Sequence, residues 1–153
     1  MLELYKPRTD ELWFKEKMLA DGPTMAYNHA YGGTIPFPKE RWVGWAVRWL
    51  QASENQRFYR YLKLGNEFIG ETAYRFDEER QIYIADIIIF APYRGRGYGR
   101  SALKLLCEAA KKNGIDCLWD DIAADNSSVA MFINFGFREI CRNEEYITLK
   151  IDL

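Results

Sequence analysis

The chain has 153 residues, 48% hydrophobic and 28% charged, enough for one domain with a packed core. Its 21 Lys and Arg against 22 Asp and Glu leave a formal net charge of -1, which removes the broad positive field that non-specific nucleic-acid binding needs. The longest apolar run, Ile87 to Ala91, is far too short to span a bilayer, and three cysteines without CxxC or Cys/His spacing argue against a zinc site or a disulfide framework.

The opening Met1-Leu-Glu-Leu-Tyr-Lys has neither the basic start nor the apolar stretch of a signal peptide, so a reduced, cytoplasmic protein is expected. No repeat, low-complexity tract or linker interrupts the chain, which reads as a single domain over residues 1–153. Leu2 to Tyr5 alternates briefly and stops before Pro7, as a first strand would. Thr9 suits an N-cap, with Asp10 and Glu11 at the positive end of a helix running to about Ala20. Asp21 to Pro38, rich in Gly and Pro, reads as a long structured loop of the kind that carries function. A second helix covers about Lys39 to Ala52, and Trp42, Trp45 and Trp49 share one of its faces, a stripe expected to be core.

From Phe58 the period changes to two. Phe58–Leu64 and Phe68–Phe76 read as strands joined by a tight turn at Gly65-Asn66, and Asp77–Arg80 as a polar hairpin tip. Gln81–Ala91 is the most hydrophobic segment and is expected to be a central strand, buried on both faces. After a glycine and arginine loop, Gly99–Asn113 is an amphipathic helix with Gly114 as its C-cap. Cys117–Ile122 is a strand, Ser127–Phe135 a short helix, and Phe137–Cys141 with Tyr146–Ile151 a closing antiparallel pair. The order β-α-α-β-β-β-α-β-α-β-β describes a mixed, mostly antiparallel sheet of about seven strands flanked by four helices, an α/β (α+β) class and not a doubly wound one.

Arg94-Gly-Arg-Gly-Tyr-Gly-Arg100 lies between the most apolar strand and a good helix. A glycine-rich turn there points backbone N–H groups outward at a helix start, where the dipole adds positive charge, and three arginines suit a ligand with several phosphates. The spacing fits neither a Walker A loop, which needs Gly-Lys-Ser/Thr, nor the dinucleotide fingerprint, whose third glycine would fall at Arg100. It does fit [Gln/Arg]-x-x-Gly-x-[Gly/Ala], with Arg94, Gly97 and Gly99 in the fixed places.

With the preceding strand Ile87–Phe90, the turn Asp125-Asn126-Ser-Ser128 and the stretch Phe132-Ile-Asn-Phe-Gly-Phe137, the chain resembles the GNAT superfamily of acetyl-CoA-dependent N-acetyltransferases over almost its whole length. The resemblance implies a sheet splayed at the cofactor site and transfer of acetyl from acetyl-CoA, as co-substrate and without a metal, to a primary amine of a small molecule. The backbone of Ile88, Ile89 and Phe90 would pair with the pantetheine arm. Residues Arg94, Gly95, Arg96, Gly97, Tyr98, Gly99, Arg100 and Ser101 would hold the pyrophosphate, Asn126 would touch the pantetheine, and Phe132 would lie near the thioester sulfur. The family often carries tyrosine at the position of Phe132, where its hydroxyl protonates the departing thiolate; phenylalanine has no such proton. Asn126 and Gly136 also stand one residue closer than in the family.

An amine is mostly protonated at pH 7, so transfer needs a base. Asp86, inside the apolar strand, and Glu71, on the adjacent strand, are the leading candidates. Asp120 and Asp121 alternate faces, so only one can look toward the crevice and a cap or turn role is favoured for the pair, while His29 is a further base candidate for which a structural hydrogen bond is favoured. Tyr27, His29 and Tyr31 lie in the loop that shapes the acceptor pocket in this family, and Phe37 is a further candidate there. No nucleic-acid or membrane partner is expected, and the resemblance allows a homodimer. Two other readings stay open: a CoA-binding regulatory module with little turnover, and a protein or peptide acetyltransferase.

Overall fold

In the computed structural model, which describes residues 1–153, the alternating segments become seven strands. They are β1 (Leu2–Tyr5), β2 (Arg57–Leu64), β3 (Glu67–Asp77), β4 (Ile82–Ile89), β5 (Cys117–Ala123), β6 (Arg138–Arg142) and β7 (Tyr146–Asp152). They form one sheet in the order β1-β2-β3-β4-β5-β7-β6. Every neighbouring pair is antiparallel except β4 and β5, which run parallel and are joined at the single register pair Ile84 and Trp119. Past that pair the two strands part, so the sheet is splayed in its middle.

Five helices cover the sheet: α1 (Trp13–Ala20), α2 (Gly22–Met25), α3 (Trp42–Leu50), α4 (Tyr98–Lys112) and α5 (Val129–Phe135). Successive strand residues face opposite sides, and this divides the core. Tyr59, Tyr61, Ala73 and Ile88 pack with α1 and α3, while Phe58, Tyr74, Ala85, Leu118 and Ile122 pack with α4 and α5. The α4 stripe is Ala102, Leu103, Leu106 and Ala110, all fully buried. The helix ends in a Schellman motif: Gly114 at φ 82 donates to the Lys111 carbonyl, and the buried Ile115 donates to that of Ala110. No helix is long and apolar enough to cross a membrane.

Three differences from the sequence expectation have local causes. Residues 21–38 are not simply a loop: the Asp21 carboxylate accepts from the Thr24 amide at 3.1 Å, Pro23 fits the first turn, and α2 forms, followed by a 3-10 stretch over Ala26–Tyr31. This gives five helices rather than four. The first helix starts later than Thr9, because Thr9–Glu11 is a 3-10 turn closed by Glu11, which accepts from the Arg8 amide at 2.9 Å. β4 is not buried on both faces throughout, because the splay leaves Asp86 open to a cleft.

Candidate active site

The parting of β4 and β5 opens a cleft of about 420 Å³. Its walls are the end of β4, the glycine turn with the first residues of α4, the middle of β5, and the segment from Asn126 to Phe132. Gly95 and Gly97 have φ of 79° and 83°, a left-handed backbone that costs an L side chain about 1–2 kcal/mol. Gly97 is the N-cap of α4 and offers no side chain to satisfy the first amides of the helix. Those amides are left for a ligand, beside Tyr98, Gly99 and Arg100, which line the cleft. A Cβ on Gly99 would lie 3.4 Å from the Met131 methyl, so α4 and α5 meet closely here.

The three arginines divide by role. Arg94 is spent on protein: its guanidinium donates to the carbonyls of Ile89 at 2.9 Å, Pro23 at 3.2 Å and Thr24 at 2.8 Å. It ties the end of β4 to α2 rather than standing free for phosphate. Arg100 lines the cleft, whereas Arg96 and Ser101 are exposed beside it, the Ser101 hydroxyl returning to the Gly97 carbonyl at 3.3 Å.

Backbone parity refines the expected pantetheine strand. The Phe90 amide donates to Ile69 on β3 at 2.8 Å, so alternation turns the amides of Ile87 and Ile89, not those of Ile88 and Phe90, toward the splay. Ile88 and Ile89 line the cleft; Phe90 does not, its ring packing edge-on to Phe14 at 5.8 Å. Asn126 lines the cleft and its side-chain oxygen accepts from the Ser128 amide at 2.9 Å. Phe132 is buried against Phe137, with ring centres 5.0 Å apart, and lines the cleft.

The carboxylates are sorted by their partners. Glu71 is only 3% exposed, and both its oxygens accept hydrogen bonds from Lys15 Nζ, at 3.0 and 2.9 Å. It is therefore a buried counter-ion and does not line the cofactor cleft. Asp121 is held by Thr148 at 2.8 Å and by Arg80 at 2.6 Å. Asp86 makes no ion pair; its open surface faces the cleft, and the protein crowding it raises its carboxyl to about 6, with the charge of Glu71 adding to the rise and Lys15 and Arg75 opposing it. Asp120, half-buried and without a cation, is pushed well above the carboxylate range by desolvation and then by Asp86 and Asp121. Asp120 is thus the member of the pair that stands in the cleft wall without a cation, where the sequence favours a cap or turn role.

A second cavity, about 130 Å³, lies between α3 and the sheet and shares Asp86 with the first. Trp45 and Trp49 stack at 6.1 Å, and Trp45 meets Tyr59 edge-on at 4.6 Å. The tryptophan stripe is thus core, as expected, but Trp45 and Trp49 also wall this cavity. Tyr59 is 2% exposed and its hydroxyl has no hydrogen-bond partner, a condition that costs about 1–3 kcal/mol when nothing binds there. Lys15, Tyr59 and Arg75 escaped sequence reasoning because only the β2-β3-β4 register brings them to one face with Asp86.

Of the acceptor candidates, Tyr27 lines the cleft beside Asp86. His29 and Tyr31 do not: His29 Nε2 meets Asp125 at 2.9 Å and the Tyr31 hydroxyl meets that of Tyr146 at 2.6 Å, tying the 26–31 segment to β5-α5 and β7. Phe37 is buried against Trp45. No cluster of three His, Cys, Asp or Glu side chains is placed to hold a metal ion.

Residues 23–137 match the family model of the acetyltransferase (GNAT) family. Over 108 residues the chain is 30% identical to a [ribosomal protein bS18]-alanine N-acetyltransferase of Haemophilus influenzae, spanning 68% of this chain and 71% of that one. The fold superposes on the GNAT domain of S. lividans PAT with a TM-score of 0.79 at 14% identity, covering 99% of this chain and 89% of that one. It superposes on yncA, a putative acetyltransferase from Salmonella typhimurium solved with its cofactor acetyl-CoA, with a TM-score of 0.76 at 14% identity, covering 100% and 94%.

Proposed function

Because the chain belongs to the acetyltransferase (GNAT) family, and is thereby an acyltransferase, we propose that it transfers the acetyl group of acetyl-CoA directly to a primary amine of a small-molecule acceptor in the cytoplasm. The observation that carries this reading is Asp86, an unpaired carboxylate common to the cofactor cleft and the aromatic cavity. A group so placed can meet an amine arriving from one side and a thioester held on the other.

The residues fit the co-substrate. Left-handed Gly95 and Gly97, the bare first turn of α4 and Arg100 suit its phosphates. The amides of Ile87 and Ile89 suit an extended amide arm laid along the splay, with Asn126 and Phe132 on the opposite wall. When bound, the co-substrate supplies an activated acetyl carbon and a thiolate leaving group. Asp86 takes the proton that the attacking amine must lose as its N–C bond forms and the C–S bond breaks. Asp120, its carboxyl pushed well above the usual carboxylate range by desolvation and then by Asp86 and Asp121, is the group on the cleft wall that would protonate the departing sulfur, the task Phe132 has no hydroxyl to perform. Glu71 acts as a positioning residue, fixing Lys15 and adding to the electrostatic rise at Asp86.

A protein amino terminus as acceptor is the second reading, favoured by the bS18-alanine N-acetyltransferase relative. Thermal unfolding tests the shared part of both. Acetyl-CoA is expected to raise the melting temperature of the wild type, and Gly97→Trp, which places a side chain at φ 83°, to abolish that shift. Asp86→Asn is expected to keep the shift while free-thiol release falls about 100- to 10,000-fold. No shift with millimolar acetyl-CoA overturns the reading.

A further inference from the structure

The aromatic cavity carries a charge pattern that the transfer reaction alone does not require. Four charged side chains line it: Lys15, Glu71, Arg75 and Asp86. Lys15 and Glu71 neutralise each other at 2.9 Å, and the Lys15 ammonium already faces Tyr59 at 4.9 Å and Trp45 at 5.0 Å. What remains is one unpaired cation, Arg75, and one unpaired anion, Asp86. They stand on adjacent strands and the same face, Asp86 opposite Ala73 and Arg75 opposite Ile84, a diagonal of about 7–8 Å. Tyr59 lines the same cavity, and its buried hydroxyl has no partner.

A polyamine would put its second ammonium beside Arg75, against rings that Lys15 already occupies. A simple neutral-bodied amine would leave Arg75 unmatched. A peptide amino terminus carries an amide where the Arg75 guanidinium offers a donor fork suited to a carboxylate. Only a molecule with an amine and a carboxylate close together pairs both free charges, and the stacked Trp45 and Trp49 provide an apolar surface for its body.

We infer that the cavity walled by Trp45, Trp49 and Tyr59 is the acceptor subsite and takes a free, apolar amino carboxylate of the α-amino-acid type, its carboxylate on Arg75 and its amine at Asp86. The inference rests on the acetyltransferase reading and narrows its acceptor. The Tyr59 hydroxyl completes the polar contacts, and the small volume, about 130 Å³, admits one side chain rather than a longer chain.

The test is thiol release from acetyl-CoA with L-leucine, L-methionine and L-phenylalanine, their amides, the corresponding decarboxylated amines, spermidine and an alanine-initiated peptide. Free amino acids are expected to exceed their amides by about tenfold or more in kcat/KM, mainly through KM. Arg75→Gln is expected to lower the amino acids about tenfold and leave the amides unchanged, erasing the preference; a merely structural Arg75 would lower all acceptors alike. Equal use of amide and acid, preference for spermidine or the peptide, or a uniform loss in Arg75→Gln overturns the inference while leaving acetyl transfer standing. Failure of acetyl-CoA to shift the melting temperature would instead overturn the family-level activity. Should acetyl-CoA bind and no amine release thiol, melting shifts in the presence of CoA decide: a larger shift with leucine than with leucinamide sustains the subsite, and equal shifts overturn it.

Discussion

Asp86 concentrates the tension between folding and function. Its ordinary carboxyl value of 3.8 is raised to about 6 in the folded chain, first by desolvation and then by Glu71, with Lys15 and Arg75 pulling the other way and Asp120 facing it across the splay. Between those values the folded state holds a proton that the unfolded chain has released, so Asp86 lowers stability as pH rises from about 4 to 6, and the penalty is complete above that window. Asp86→Asn is therefore expected to melt higher than the wild type at pH 7 to 8, with the gain shrinking toward pH 4, while its activity is lost. In the wild type, kcat/KM is expected to climb through a limb near pH 6 as the base ionises. A variant that melts lower at every pH, or a rate profile flat from pH 5 to 7, sinks the assignment. Glu71 shows what sequence alone leaves open at this scale. Its strand and its acidity were legible, but its partner Lys15 lies 56 residues away, and only that contact turns a candidate base into a counter-ion.

Elements were legible where one face is buried and the other wet. The two-residue period of β2 and β3, the stripe of α4 and its Gly114 stop each follow from local chemistry, and the structure has them within a few residues of the expected bounds. α2 was missed because its signals, Asp21 and Pro23, sit among glycines, and because Arg94, some 70 positions on, secures it through the Pro23 and Thr24 carbonyls. The aromatic cavity was illegible for a related reason, because it is made by the β2-β3-β4 register, whereas the splay was expected only through the family resemblance. Gly70 is the clearest point of register control. It pairs with Ile89 beside a shift in the β2 ladder, and a Cβ there would collide with the Ile88 carbonyl oxygen. Backbone cannot yield as a flexible side chain can, so Gly70→Ala must push β4 away from β3 at the lip of the cleft. We expect a loss of about 1–3 kcal/mol in stability, together with weaker acetyl-CoA binding, because the displaced residues are those whose amides face the splay. Unchanged melting and unchanged affinity would show that the close approach is not maintained in solution.

At the scale of the molecule, a net charge of -1 conceals an uneven distribution, with Arg94, Arg96 and Arg100 gathered at one helix start and Asp86, Asp120 and Asp121 on the two strands of the splay, β4 and β5. The sheet is in effect two antiparallel blocks, β1-β2-β3-β4 and β5-β7-β6, joined by one parallel register pair. Beneath the cleft, α4 holds them through a shared core in which Leu103 and Leu106 meet Tyr74 and Ala85 from one block and Leu118 and Ile122 from the other. Above it, few backbone bonds cross the gap. A ligand laid in the gap touches both lips, so it should suppress the local opening of the blocks as well as add to global stability. At about 100 times its Kd a ligand contributes roughly 2.7 kcal/mol against unfolding by mass action alone. Hydrogen exchange separates the two effects. Acetyl-CoA is expected to slow exchange most at Ile87, Ile89 and residues 97–101 and 120–123, and little in β1 and β2, which lie at the sheet's other edge away from the gap. Uniform protection along the chain would mean that the blocks never part separately, and that the splay is a rigid slot rather than a joint closed by its ligand.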